Sequence, residues 1–139
     1  MNNNTDIKAS YPLSKSDSDW REELTPAQYD VLRRKGTEPP FSGRYAFEKA
    51  DGTYRCAACG TELFSSEAKF DSGTGWPSFT EPADRANVVL SDDFSHGMHR
   101  VEVTCAACGG HLGHVFDDGP GNSGERFCIN SCSLELQER

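Results

Sequence analysis

Residues 1–19 are polar, rich in Asn, Ser and Asp, and carry no hydrophobic period. They read as a loose arm ahead of a domain spanning residues 20–139. The first patterned element is a helix beginning near Thr25. Thr25 suits the N-cap, Pro26 the first helical position, and Gln28 the return position of a capping box. Leu24 and Tyr29 stand where a hydrophobic staple places its two residues, Gly36 ends the pattern, and Pro39-Pro40 follow. From Gly43 onward the period shortens to two. Residues 44–48 and 53–56 read as strands joined across the turn signal Asp51-Gly52. Further strands are expected over 87–90, 98–104, 111–116 and 126–136. In 98–104 the alternation puts Met98, Arg100, Glu102 and Thr104 on one face and Val101 and Val103 on the other. Residues 71–77 and 117–124 are rich in Gly, Pro, Asp and Ser, and irregular stretches of this kind often carry function. The pattern predicts a mainly β domain with one or two N-terminal helices.

Composition narrows this picture. A chain of 139 residues fits one domain and can bury roughly two-thirds of its unfolded surface. Fourteen Lys and Arg against 22 Asp and Glu leave a formal charge of −8. That charge opposes nucleic acid and anionic membrane as partners. No apolar run approaches the ~20 residues that span a bilayer. The segment MNNNTDIKAS lacks the apolar stretch of a secretory signal. The expected location is therefore cytoplasmic, where reduced thiols serve metals or catalysis more readily than disulfides.

Six cysteines give that expectation its content. Cys56, Cys59, Cys105 and Cys108 form two C-x2-C knuckles, each followed by a glycine, Gly60 or Gly109, and each within the repeat CAACG. Two such knuckles brought together supply the tetrahedral four-sulfur set that Zn2+ prefers, and a closed set of four makes the ion structural. Two disulfides or an iron–sulfur cluster would also use four cysteines, and a redox C-x2-C would need a βαβ context that the pattern does not offer.

Cys128 and Cys132 remain. Either one could be a small buried hydrophobe. Cys128, however, follows a Gly/Asp-rich loop, lies two residues from Arg126, and is near His111 and His114 in the run HLGH. Residues three apart face opposite sides of a strand, so the two imidazoles converge only if the chain bends at Gly113. A cysteine beside His and Arg is a candidate reactive thiol. Trp76, in the loop DSGTGWPSF, could plug the core or wall an apolar ligand group.

At these residues the chain resembles methionine sulfoxide reductase B. KFDSGTGWPSF, HLGHVFDDGP and RFCINS carry the resemblance, and the two CAACG knuckles match the zinc-containing form. It runs from about Trp20 to Leu136. It implies a compact barrel-like fold of two antiparallel sheets with a distal structural zinc, and an enzyme that reduces methionine-R-sulfoxide, chiefly in oxidised proteins and peptides; the chain itself is expected to be a monomer. Cys128 falls on the catalytic cysteine, Trp76 on the aromatic that packs against the substrate methyl, and His111, His114 and Asn130 on polar site positions. Asp118 and Arg126 also fall on site positions.

The chemistry agrees. Sulfoxide sulfur is electrophilic only as its oxygen is protonated, so a thiol and a proton donor must share one target. Cys128 would attack sulfur, His111 or His114 would protonate oxygen, and Cys128 would be left as a sulfenic acid. Arg126 would favour the thiolate. Many family members have a resolving cysteine two residues before the Trp, but here that residue is Thr74. Cys132 on an extended strand would lie about 13 Å from Cys128, beyond disulfide reach. The expected reductant is an external thiol such as thioredoxin, glutaredoxin or a small thiol.

Overall fold

The computed structural model describes residues 11–139. Two helices come first, α1 (Asp17–Glu23) and α2 (Pro26–Arg34). Nine strands follow: β1 (Gly52–Cys56), β2 (Glu62–Ser65), β3 (Lys69–Phe70), β4 (Ser78–Phe79), β5 (Val88–Asp93), β6 (Arg100–Cys105), β7 (His111–Phe116), β8 (Arg126–Ile129) and β9 (Leu134–Glu138). They form a three-stranded antiparallel sheet, β2-β1-β9, and a six-stranded one, β3-β4-β8-β7-β6-β5. The expected pair of antiparallel sheets is present, and neither closes into a barrel among the described residues.

The arm expected over residues 1–19 lies outside the described residues as far as residue 10. From residue 11 on, the chain is anchored. The Leu13 amide donates to Ala107 O at 2.8 Å, and the Ser16 side chain caps α1. Trp20 of α1 is buried in the core and flanked by the cations of Lys15 and Arg33. At α2 the capping box is complete. The Thr25 amide donates to Gln28 Oε1 at 3.0 Å, and the Gln28 amide donates to Thr25 Oγ1 at 3.1 Å. The helix ends one residue earlier than the glycine signal implies: Lys35, at φ 59°, takes the left-handed cap conformation.

The core lies between the sheets. Phe79, Phe127 and Val115 stand opposite one another on β4, β8 and β7, facing Phe64 of β2. The Phe64 and Phe79 rings stack at 4.4 Å. Tyr54 of β1 meets both Tyr45 and Phe79 edge to face. Such pairs add about 0.5–1.5 kcal/mol each beyond the burial of their area.

Two strand expectations fail for physical reasons. Residues 44–47 form turns and residue 48 is irregular, because both edges of β1 are already taken by β2 and β9. Tyr45 instead accepts the Leu136 amide on its hydroxyl and donates its own amide to Ser131 Oγ. The expected long strand 126–136 is two strands in different sheets, separated by a 3-10 turn at Ser131–Ser133. That turn is held by Glu38, whose carboxylate accepts the amides of Ser131 and Cys132 at 2.9 and 3.0 Å.

Candidate active site

One face of the large sheet gathers several of the expected site residues. Glu102, His114, Cys128 and Ser78 are successive cross-strand partners on β6, β7, β8 and β4. Directly opposed residues point to the same side, with Cβ atoms ~5 Å apart. The intervening positions, Val101, Val115, Phe127 and Phe79, form the core-facing row.

His111 joins this face through a bulge. Thr104 pairs with His111 and Val103 with Gly113, so Leu112 is a surplus residue on β7. The bend expected at Gly113 therefore lies at His111–Leu112. The two imidazoles meet edge to face, their centroids 5.5 Å apart. Gly113 has a different task. A Cβ there would sit 2.0 Å from the Cys128 carbonyl oxygen, so its bare backbone lets β8 approach.

Each histidine has its own carboxylate. His114 Nε2 lies 2.7 Å from Asp93 Oδ2, and His111 Nδ1 lies 2.7 Å from Glu102 Oε2. Lys35 Nζ bridges both acids, at 3.2 Å from Asp93 and 3.4 Å from Glu102, and Arg100 adds a contact to Asp93 at 3.7 Å. The hydrogen bonds from His114 and Ser95 hold Asp93 well below the usual carboxylate range. Burial opposes ionisation of Glu102, but His111 and Lys35 overcome it and its pKa also falls. Two ionised acceptors place the protons on His114 Nε2 and His111 Nδ1. His114 Nδ1 then carries the lone pair, and His111 Nε2 is buried with no hydrogen-bond partner among the described residues. Burial pushes the His114 pKa down against the pull of Asp93, so this imidazole is neutral at pH 7.

Cys128 is half-buried. Burial raises its pKa, and the opposing charge of Arg126 and hydrogen bond of Thr74 do not cancel the rise. Arg126 thus acts in the expected direction, but the resting sulfur is a thiol. Arg126 grips Asp118 from Nε and Nη2 at 2.8 and 3.2 Å and lies 4.5 Å over the Phe116 ring.

Trp76 is half-buried, and its indole donates to Glu38 O at 3.0 Å. Asn130 is buried and bonded through both its side-chain oxygen and nitrogen. Its Oδ1 accepts the Glu38 amide at 3.0 Å, and its Nδ2 donates to Leu112 O at 3.0 Å. It therefore ties the Trp76 support to the bulge. Cys132 lies in the turn between the two sheets, and burial, then the Glu38 carboxylate, push its thiol up to about 11.

The four knuckle cysteines come together. Cys56 and Cys108 sulfurs lie 3.7 Å apart, Cys59 and Cys105 sulfurs 3.6 Å, and all four ligand atoms fall within 4.8 Å of one another. Gly60 and Gly109 have φ of 82° and 77°, which lets each knuckle turn. This cluster can hold a metal ion. It joins the end of β1 in the small sheet to the end of β6 in the large one.

A SelR domain model matches residues 24–138. That span holds both knuckles, the histidine pair and Cys128. The chain belongs to the methionine sulfoxide reductase B family. The peptide methionine sulfoxide reductase MsrB of Bradyrhizobium diazoefficiens is 60% identical over 125 residues, covering 90% of each chain. That of Leptospira interrogans is 56% identical over 128 residues, covering 92% of this chain and 98% of the relative. That of Methanosarcina barkeri is 56% identical over 125 residues, covering 90% and 88%.

Within this MsrB-family chain, four contributors escaped the sequence reading. Asp93, Glu102, Lys35 and Glu38 lie 21, 9, 76 and 90 residues from His114, His111, His111 and Cys128 respectively. Only Glu102 carried a signal, since the alternation of β6 had set it on a polar face.

Proposed function

We propose that this protein is a peptide-methionine (R)-S-oxide reductase that returns oxidised methionine to methionine and so repairs proteins. The observation that carries the reading is the opposition of Cys128 to His114, with ionised Asp93 behind the imidazole. Membership of the MsrB family supports it.

The resting protonation states define the path. The Cys128 thiol gives its proton to neutral His114 as its sulfur attacks the sulfoxide sulfur, and Asp93 stabilises the imidazolium that forms. The proton then passes to the sulfoxide oxygen, directly or across His111. The hydroxyl so formed passes from the substrate sulfur to the Cys128 sulfur: the sulfur–oxygen bond of the substrate and the transient bond between the two sulfurs both break, a new oxygen–sulfur bond forms on Cys128, methionine leaves, and Cys128 is left as sulfenic acid. Trp76, locked by its indole hydrogen bond, walls the S-methyl group and thereby selects one epimer. Arg126, held by Asp118, supplies positive charge beside the sulfur.

Regeneration uses an external thiol. The residue hydrogen-bonded to Cys128 at the expected resolving position is Thr74, which has no thiol, and Cys132 is a weak nucleophile at neutral pH. One thiol displaces water from the sulfenic acid and a second releases Cys128 as the mixed disulfide is reduced.

The metal of the four-cysteine cluster is zinc in this reading. The edge of a tetrahedron with Zn–S near 2.3 Å is about 3.8 Å, against the 3.6 and 3.7 Å between paired sulfurs. Bound there, Zn2+ would fasten the two sheets and leave no position for substrate.

The test is reduction of methionine-R-sulfoxide with dithiothreitol by the wild type and by Cys128→Ser. Activity in the Ser variant would refute the nucleophile. Mass analysis after one turnover without reductant should show a single added oxygen on Cys128, whereas a Cys128–Cys132 disulfide would overturn the external-thiol route.

A further inference from the structure

Phe41 and Phe47 are 60% and 58% exposed, yet their rings stack at 5.9 Å with an interplanar angle of 25°. Phe41 is also held in the left-handed region, φ 64°, which an L residue with a bulky side chain rarely adopts. Strain of this kind persists where the surroundings enforce it, and here they do. The Phe41 amide donates to Gly75 O at 2.8 Å, and a Cβ on Gly75 would come within 2.8 Å of the Phe41 ring and amide nitrogen. Ser42 Oγ closes the turn onto Pro39 O at 2.6 Å. The same short segment holds the Trp76 indole through Glu38 O. Residues 38–41 therefore touch the Trp76 loop at both ends and present an aromatic pair to solvent next to it.

Single exposed hydrophobic residues are ordinary, but two stacked rings on a strained, clamped backbone form a deliberate apolar surface. The surface is continuous with the Trp76 loop, which sets its occupant. An extended polypeptide advances ~3.3 Å per residue, so a chain with its oxidised methionine at Trp76 carries a neighbouring side chain over this shelf. The net charge of −8 opposes an anionic lipid surface as the alternative occupant.

We propose that the Phe41–Phe47 pair is a subsite for an apolar side chain flanking the methionine sulfoxide of a polypeptide substrate. The proposal rests on the reductase reading above. It is tested with two pentapeptides bearing central methionine-R-sulfoxide, one flanked by leucines and one by serines, and with free methionine-R-sulfoxide. The wild type should show kcat/KM about three- to tenfold higher for the leucine peptide, as burying about 30–50 Å² of leucine surface on the rings implies. Phe47→Ala should abolish that ratio and Phe47→Tyr should keep it. Phe41→Gly should abolish it while raising Tm, because glycine relieves the left-handed backbone. Equal rates of the wild type on the two peptides, or an unchanged ratio in both ring-deletion variants, would overturn the subsite. Failure of the wild type on all three substrates would instead sink the reductase reading.

Discussion

Asp93→Asn isolates the electrostatic role of the carboxylate behind His114. The substitution preserves shape and removes one charge from a side chain that is 3% exposed. The lost partner is a charge-assisted hydrogen bond of 2.7 Å to His114 Nε2, and Lys35 and Arg100 remain as nearby cations. Hydrogen bonds to charged groups are worth about 1.5–3 kcal/mol. The imidazolium formed when Cys128 yields its proton should lose that much stabilisation, so kcat at pH 7 should fall roughly 10- to 150-fold. The His114 pKa, already lowered by burial, should drop by a further one to two units, at about 1.4 kcal/mol per unit. Protonated His114 cannot accept the thiol proton, so the acid limb of the kcat/KM profile should move to lower pH. The assay is steady-state reduction of methionine-R-sulfoxide with dithiothreitol between pH 4.5 and 9, alongside thermal melts. A variant that slows while its acid limb stays put would show that Asp93 only supports packing. A variant with unchanged kcat would refute the proton path.

Acid should weaken the fold in two steps of the same sign. The lowered His114 pKa penalises the folded state below ~6.5, and the lowered Asp93 and Glu102 pKa values withdraw their stabilisation below ~4. Melts from pH 7 to 3 should show Tm falling through both windows, and a flat profile would contradict the signs. Cys56→Ser should release bound zinc and cost several kcal/mol, read by metal analysis and denaturant unfolding. Alkylation of Cys128 by iodoacetamide should keep rising with pH beyond 9, since its thiol is pushed above the ordinary value; a plateau near pH 7 would refute this. Gly113→Ala should separate β7 from β8, lowering stability by about 2–4 kcal/mol and activity with it, because the new Cβ meets the Cys128 carbonyl.

Features with local physics were readable from the chain. The capping box of α2, the two cysteine knuckles and the β7 strand all appear where their residues imply, because each is specified within a few positions. The site's electrostatics were not readable. Asp93 reaches His114 only through the β5–β6–β7 register, and Lys35 reaches both acids only because it takes a left-handed cap in place of Gly36. The strand expected at 44–48 failed because β1 had no free edge, a property of the sheet and not of that segment. The run 126–136 is uniformly strand-like, and nothing in it marks the change of sheet that Glu38 enforces from 93 and 94 residues away.

The surplus residue in β7 has a consequence for anyone transplanting this chemistry. Side chains on one face of a regular strand are separated by even numbers, so His-x-x-His grafted onto an unbulged scaffold would send one imidazole through the sheet. A designer must carry over the bulge together with the glycine that follows it, or respace the pair as His-x-His and accept a different angle between the rings. The portable unit is therefore a piece of backbone geometry, and a motif search blind to that geometry would select the wrong scaffolds.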